Sequence, residues 1–161
     1  IINGMLSGLG FQLSRQTVDE GHNRCLYKVI SSRVRILVID DEKRVLTSLV
    51  KTLEQEERLE YEILKSESGE EALELVHKFP IELVLCDHKL GTGITGTEVL
   101  ERIRLIDPSI VRILITGFAE VEIARDAVNR AKIHYFIEKP PESSELKRII
   151  YEELMKKRQS D

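Results

Sequence analysis

The chain has 161 residues, a formal net charge of −4, 42% hydrophobic residues and 32% charged ones. That length suits one domain with an appendage and allows a sizeable core. The mildly acidic balance gives no reason to expect nucleic-acid binding through this domain, and no apolar run approaches the roughly 18 residues of a membrane helix.

The start, Ile1-Ile2-Asn3-Gly4, is neither an initiator methionine nor a basic-then-apolar leader, so the chain reads as cut from something longer. Residues 1–32 hold Gly4, Gly8 and Gly10 before Phe11, then a polar stretch, then one strand-like run from Cys25 to Ile30. They read as an N-terminal arm or the remnant of an upstream domain, bounded by Ser31-Ser32. Cys25 and Cys86 form no metal spacing; Cys86 lies inside a predicted strand and reads as a small core residue, which suits a reducing cytoplasm.

From Arg33 onward short apolar runs alternate with helical patterns. Val34 to Ile39 is a strand ending at Asp40-Asp41. Val45, Leu46, Leu49, Val50 and Leu53 recur at helical spacing, and that helix ends near Glu54 to Arg58. Tyr61 to Leu64 is a half-buried strand. Ser68 and Glu71 have capping-box spacing before a helix that stops ahead of Pro80. Ile81 to Cys86 is a strand closed by Asp87. Helices with Val99, Leu100, Ile103 and Ile106, then Val121, Ala124, Ala127 and Val128, flank a strand from Ile110 to Ile115 that ends at Thr116-Gly117. Ile133 to Glu138 is closed by Lys139-Pro140, and a last helix carries Leu146, Ile149, Ile150 and Leu154. Strands alternating with helices predict an α/β doubly wound five-stranded parallel sheet with helices on both faces.

Strand carboxyl ends of such a sheet converge on one edge, where ligands bind. Asp40, Asp41, Asp87, Thr116 and Lys139 would therefore share one site. Two carboxylates about 5 Å apart repel by about 3 kcal/mol at an effective dielectric of about 20, so a cation is expected among them. Mg²⁺ suits such oxygen donors. No G-x-x-x-x-G-K-[ST] is present and no G-x-G-x-x-G follows a strand, which argues against a nucleotide cradle. One carboxylate acting as nucleophile towards phosphorus is the option left.

Val38-Ile39-Asp40-Asp41-Glu42, Val84-Leu85-Cys86-Asp87, Leu114-Ile115-Thr116-Gly117 and Phe136-Ile137-Glu138-Lys139-Pro140 resemble, in order and spacing, the response-regulator receiver domain of two-component signalling. The resemblance runs from about Arg33 to Lys157, giving a receiver domain at 33–158 and a tail at 159–161. It implies the flavodoxin-like strand order 2-1-3-4-5. It also implies that Asp87 accepts a phosphoryl group, that Asp41 binds Mg²⁺ directly and Asp40 directly or through water, and that the Lys89 main-chain carbonyl is a further ligand. Lys139 would pair with Asp87 and then a phosphoryl oxygen, Thr116 would bond another, Gly117 would keep access open, and Phe136 holds the aromatic switch position. The implied partners are a sensor histidine kinase or phosphotransfer protein and an unidentified output domain or protein; a homodimer also fits, a membrane does not. Any enzymatic activity is self-catalysed phosphotransfer and dephosphorylation.

The loop after the acceptor departs from the family: Leu90-Gly91-Thr92-Gly93-Ile94-Thr95-Gly96 lacks the usual Met-Pro and is one residue longer, and its glycines imply pliability. Lys89 and Phe118, which flank the approach of hydrolytic water in the family, offer no group to orient that water, so a long-lived phosphorylated state is expected. His88 reads as a solvated loop residue; His22, His77 and His134 receive no role. Gly21 to Ile30 is similar to the last strand of small-molecule-sensing domains of the vinyl-reductase-like class. Two other functions stay open: an aspartyl-phosphate phosphohydrolase of the haloacid-dehalogenase type with Asp40 as nucleophile, where Glu42 replaces the expected second Asp, and an unphosphorylated pseudo-receiver that only docks.

Overall fold

A computed structural model describes residues 11–17, 25–31, 33–117 and 121–161. Its contacts divide the chain into two compact units, residues 1–34 and 35–161. In the first, β1 (Phe11–Thr17) and β2 (Cys25–Ser31) pair antiparallel, with Phe11 opposite Ser31 and Thr17 opposite Cys25. The sequence marks only the second as a strand. Phe11–Thr17 is too polar to stand out, and its extended form rests on the hydrogen bonds that its partner supplies. The expectations that rest on residues 1–10, 18–24 and 32 lie outside the described residues.

The remaining elements alternate: β3 (Val34–Ile39), α1 (Lys43–Glu54), β4 (Tyr61–Ser66), α2 (Gly69–Lys78), β5 (Leu83–Asp87), α3 (Gly96–Ile106), β6 (Val111–Thr116), α4 (Val121–Arg130), β7 (Tyr135–Glu138) and α5 (Ser143–Ser160). The five strands from β3 onward form one parallel sheet in the order β4-β3-β5-β6-β7, which is the doubly wound order 2-1-3-4-5. Registers pair Ile36 with Leu83, Asp87 with Ile115 and Thr116 with Glu138. β5 and β6 are buried along their whole length, as continuous apolar strands covered on both faces must be. Leu37, Ile39, Val84, Cys86 and Leu114 pack with Ala72, Val76, Val99, Leu100, Ile103 and Ala127, which come from α2, α3 and α4. α1 and α5 meet each other and bury Leu46, Leu49, Leu53, Leu146, Ile149, Ile150 and Leu154. Among the described residues no helix is long and apolar enough to cross a membrane.

Helical periodicity overshoots at two positions. Ile106 is 40% exposed and Val128 50% exposed, because Ile106 is the last residue of α3 and Ala131, four after Ala127, takes the inward place instead. The caps also differ from expectation. Ser68 Oγ accepts from Glu71 N–H, but the Glu71 carboxylate accepts from Ser66 Oγ and Glu67 N–H at 3.0 and 3.2 Å rather than from Ser68. Thr95 and Glu98 form the complete reciprocal box at the start of α3.

One buried charge organises the pole opposite the strand carboxyl ends. Arg112, in β6 and 4% exposed, donates from Nε to the Ala131 carbonyl at 3.0 Å and from Nη1 to Pro108 and Ile110 at 3.1 and 2.7 Å. Nη2 donates to Lys132 at 3.1 Å. The guanidinium thus ties the end of α4 to the strand beside it, and burial pulls its pKa down. Arg112→Ala strands several buried carbonyls. It is expected to cost about 2–5 kcal/mol in urea unfolding, and Arg112→Lys to recover only part, since one ammonium cannot span four acceptors.

Candidate functional site

β3, β5, β6 and β7 deliver their carboxyl ends to one edge of the sheet, and the candidate residues gather there. Asp40 follows β3 and is fully buried. Its N–H donates to the Ser66 carbonyl at the end of β4 (3.2 Å), Oδ1 accepts from Glu42 N–H (2.9 Å), and Oδ2 accepts from Lys139 Nζ (3.0 Å). Asp87 closes β5, is 7% exposed, and also places Oδ2 3.0 Å from Lys139 Nζ. The Lys89 main-chain N–H hydrogen-bonds the same carboxylate. One ammonium therefore bridges two carboxylates that would otherwise repel. Asp41, exposed, completes the group: Asp40, Asp41 and Asp87 each offer an oxygen within 4.8 Å of the others. Three carboxylates against one ammonium leave the edge net negative. The donors are all hard oxygens, which suits a hard divalent cation.

Thr116 ends β6, is buried, and its carbonyl accepts Lys139 N–H at 2.9 Å. That bond and the β6–β7 register bring the hydroxyl-bearing residue and the lysine side by side. At Gly117 an added Cβ would meet nothing within 4 Å, so the absent side chain leaves the mouth open. The resulting cleft, of about 660 Å³, is lined by Asp41, Asp87, Lys89, Gly117, Lys139 and the loop from Leu90 to Thr95. Phe136 is half-buried against the core. Lys89 is exposed at the cleft, while Phe118, its expected companion in shielding Asp87 from water, lies outside the described residues.

The loop after Asp87 is seated more firmly than its glycines suggest. Leu90 is buried, and Gly91 takes φ +69°, a conformation that favours glycine. At Gly96 any Cβ would collide with the Asp87 carbonyl oxygen, and its N–H donates to the His88 carbonyl at 2.8 Å. Glycine there answers to close packing, not to mobility. His88 is half-buried with Nδ1 3.0 Å from Thr97 Oγ1, so it is not the fully solvated ring that the sequence suggests. His134 Nδ1 accepts the Arg112 N–H at 3.0 Å, and His77 Nδ1 lies 2.8 Å from the Leu73 carbonyl. Three local features escape the sequence reading: the Glu42 N–H on Asp40, the Gly96 contact, and the Thr95 cap. Only the cap carries a visible signal, its Thr-x-x-Glu spacing.

Electrostatics follow burial first. Burial raises the Asp87 pKa; the Lys139 hydrogen bond and charge oppose it, the Asp40 charge adds to it, and the Lys89 N–H opposes it again. Burial alone would lower the Lys139 pKa, but its hydrogen bonds to Asp40 and Asp87 and their charges raise it. Cys86, a free thiol in the core beside this edge, is pushed well up by burial and the neighbouring carboxylates.

Comparison with known proteins agrees with this geometry. The family model described as "Response regulator receiver domain" matches residues 36–151. The hydrogenase transcriptional regulatory protein HoxA of Cupriavidus necator is 38% identical over 105 residues, covering 65% of this chain and 21% of that protein. Sporulation initiation phosphotransferase F of Bacillus subtilis is 28% identical over 102 residues, covering 63% of this chain and 79% of that one. A crystal structure of a CheY-like response regulator receiver domain protein from Methanospirillum hungatei superposes with a TM-score of 0.72 at 32% identity, covering 81% of this chain and all of that one. The chain spans between 21% and 28% of the length of several curated transcriptional regulators that it matches.

Because the Asp87 pKa is raised in the folded chain, the carboxyl holds its proton more tightly folded than unfolded. Its contribution to stability is complete below the ordinary Asp value of about 3.9 and is lost as pH rises through the higher folded value. In metal-free buffer at pH 7, Asp87→Asn is expected to be more stable than the parent by about 0.5–2 kcal/mol. Urea unfolding across pH 4 to 8 checks this: the difference shrinks towards the acid end.

Proposed function

This chain belongs to the response-regulator receiver domain family, and on that premise we propose that it is a phosphorylation-driven switch with Asp87 as the acceptor. The observation that carries the reading is the Lys139 ammonium, 3.0 Å from carboxylate oxygens of both Asp40 and Asp87, with Asp41 in the same group. An Asp87 oxygen attacks the phosphorus of a small or protein-bound donor. The bond from phosphorus to the donor's leaving atom breaks with its electron pair, and an acyl phosphate results. Mg²⁺, held by Asp41, Asp87 and the Lys89 carbonyl, with Asp40 helping directly or through water, would neutralise charge on the transferring group. Lys139 exchanges its bond to Asp87 for one to a phosphoryl oxygen, and the Thr116 hydroxyl meets another. Gly117 leaves room for the group, and Phe136, on the strand that leads to Lys139, passes the change outward.

Asp40 is a poor candidate for the nucleophile, since one of its oxygens is held by Glu42 N–H and the other by Lys139, with no exposed surface. That disfavours the phosphohydrolase reading. A docking module without phosphorylation would carry the mutual repulsion of three carboxylates to no purpose. Receiver residues at 33–158, an arm or upstream remnant at 1–32 and a tail at 159–161 are the proposed organisation. A sensor histidine kinase or phosphotransfer protein in the cytoplasm would supply the phosphoryl group, and an output module, joined or separate, would read it.

Incubation with phosphoramidate and Mg²⁺ is expected to add one acid-stable, base-labile phosphoryl group, lost with EDTA and in Asp87→Asn. Mapping of the label to Asp40 would overturn the assignment. Thr116→Ala is expected to take the label, more slowly, yet to lose the phosphorylation-dependent NMR shifts around Phe136. The coupling removed should be about 1–3 kcal/mol. Undiminished shifts in that variant would remove Thr116 from the switch.

A further inference from the structure

The loop that follows Asp87 is braced from its far side by the corner between β4 and α2. Glu70, in the first turn of α2, accepts the Ile94 N–H on Oε1 at 3.4 Å. A Cβ on Gly93 would lie 3.0 Å from both Glu70 carboxylate oxygens, so the carboxylate lies flush against the loop backbone. One residue earlier, a Cβ on Gly69 would lie 2.6 Å from Ile94 Cγ1 and 2.5 Å from Val99 Cγ2: the helix start and the loop interlock only because position 69 has no side chain. Gly93 and Ile94 present their other side to the acidic cleft.

The corner is anchored in turn. Ser66, 1% exposed, accepts the Asp40 N–H on its carbonyl, and its single hydroxyl proton is shared between the Ser68 carbonyl, 2.7 Å from Oγ, and the Glu71 carboxylate, 3.0 Å away. The Ser68 side chain caps α2. A continuous path of contacts results. It runs from Asp40 through Ser66 and the cap to Glu70, across to Ile94, and back along the loop to Asp87, where the Gly96 N–H meets the His88 carbonyl. The residues at its two extremes, Asp40 and Asp87, both belong to the acidic group, and the path reaches each through its main chain.

We propose that Glu70 is a positioning residue for the acidic site: its carboxylate holds the Gly91-to-Gly96 loop so that the Lys89 main chain and Asp87 keep the geometry that receives a divalent cation. Backbone rich in glycine loses more freedom on ordering than other chain does, so a loop of this composition needs an external brace. Glu70 touches neither the acidic group nor a reacting atom. The inference rests on the receiver reading for its consequence, but the brace itself does not.

The test uses the full chain and its Glu70→Ala and Glu70→Gln variants, with two readouts. Calorimetric titration with Mg²⁺ is expected to show about three- to tenfold weaker binding in Glu70→Ala, the factor that one hydrogen bond of modest net strength gives. Glu70→Gln keeps the acceptor oxygen but not the charge, and is expected to recover most of the affinity. Amide hydrogen exchange at Gly93 and Ile94, followed by NMR without metal, should quicken by a similar factor in Glu70→Ala and not in Glu70→Gln. Parental Mg²⁺ affinity in Glu70→Ala overturns the proposal. Equal weakening in both variants also overturns it, because a long-range field effect then suffices. If the parent itself binds no Mg²⁺, the receiver reading fails; the exchange rates still decide whether Glu70 holds the loop.

Discussion

A single ammonium shared between two buried carboxylates is the constraint on which the site depends. Asp40 and Asp87 end adjacent parallel strands, and at neutral pH their charges would drive those strand ends apart or force one group to hold a proton. Lys139 arrives from the end of β7, two strands beyond β5 and three beyond β3, and stands 3.0 Å from each carboxylate. Without it the acidic edge is a liability; with it, the edge is a charged device that stays negative overall and so attracts a cation. The Asp87 pKa is still raised, so burial outweighs the lysine there. A carboxylate kept partly desolvated and incompletely neutralised is one whose charge is available for chemistry.

The sheet makes that meeting enforceable. Parallel registers put Asp87 across from Ile115 and Thr116 across from Glu138, and the Lys139 N–H then bonds the Thr116 carbonyl. A shift of one residue in any register would turn a site residue to the other face. What resists such a shift is the close packing of individual core side chains of β3, β5 and β6 against the helices, so core packing and the placement of the site have one cause. At the opposite pole Arg112 gathers carbonyls from the end of α4 and the start of β6. The last turn of α4 is thereby tied to the sheet, whereas its first turn faces the cleft through Ile123.

Glycine has two distinct duties around the cleft. Gly117 keeps space empty, whereas Gly69 and Gly96 let solid parts touch. Composition alone cannot separate these duties, since both appear in sequence as a glycine in a loop. The separation matters because a loop read as pliable proves to be packed on its outer side by α2 and closed at its end against Asp87.

Much of the molecule is legible in the amino-acid sequence. Alternating apolar runs and 3.6-residue periodicity located the strands and helices from Arg33 onward, because burial on both faces of a parallel sheet imposes those patterns on the sequence. The acidic pair, Asp87, Thr116 and Lys139 were also legible, since each closes such a run and strand ends of this fold share an edge. What sequence could not decide was anything that needs a partner far along the chain. Phe11–Thr17 is a strand by virtue of Cys25–Ser31; the Glu71 carboxylate turns to Ser66 rather than to Ser68; Glu70 meets Ile94 across a gap of 24 residues. Lys139 could be placed at the edge, but that its one ammonium would serve Asp40 and Asp87 equally was decided only by tertiary packing. Periodicity reports which way a residue faces, and only the folded chain reports what stands opposite.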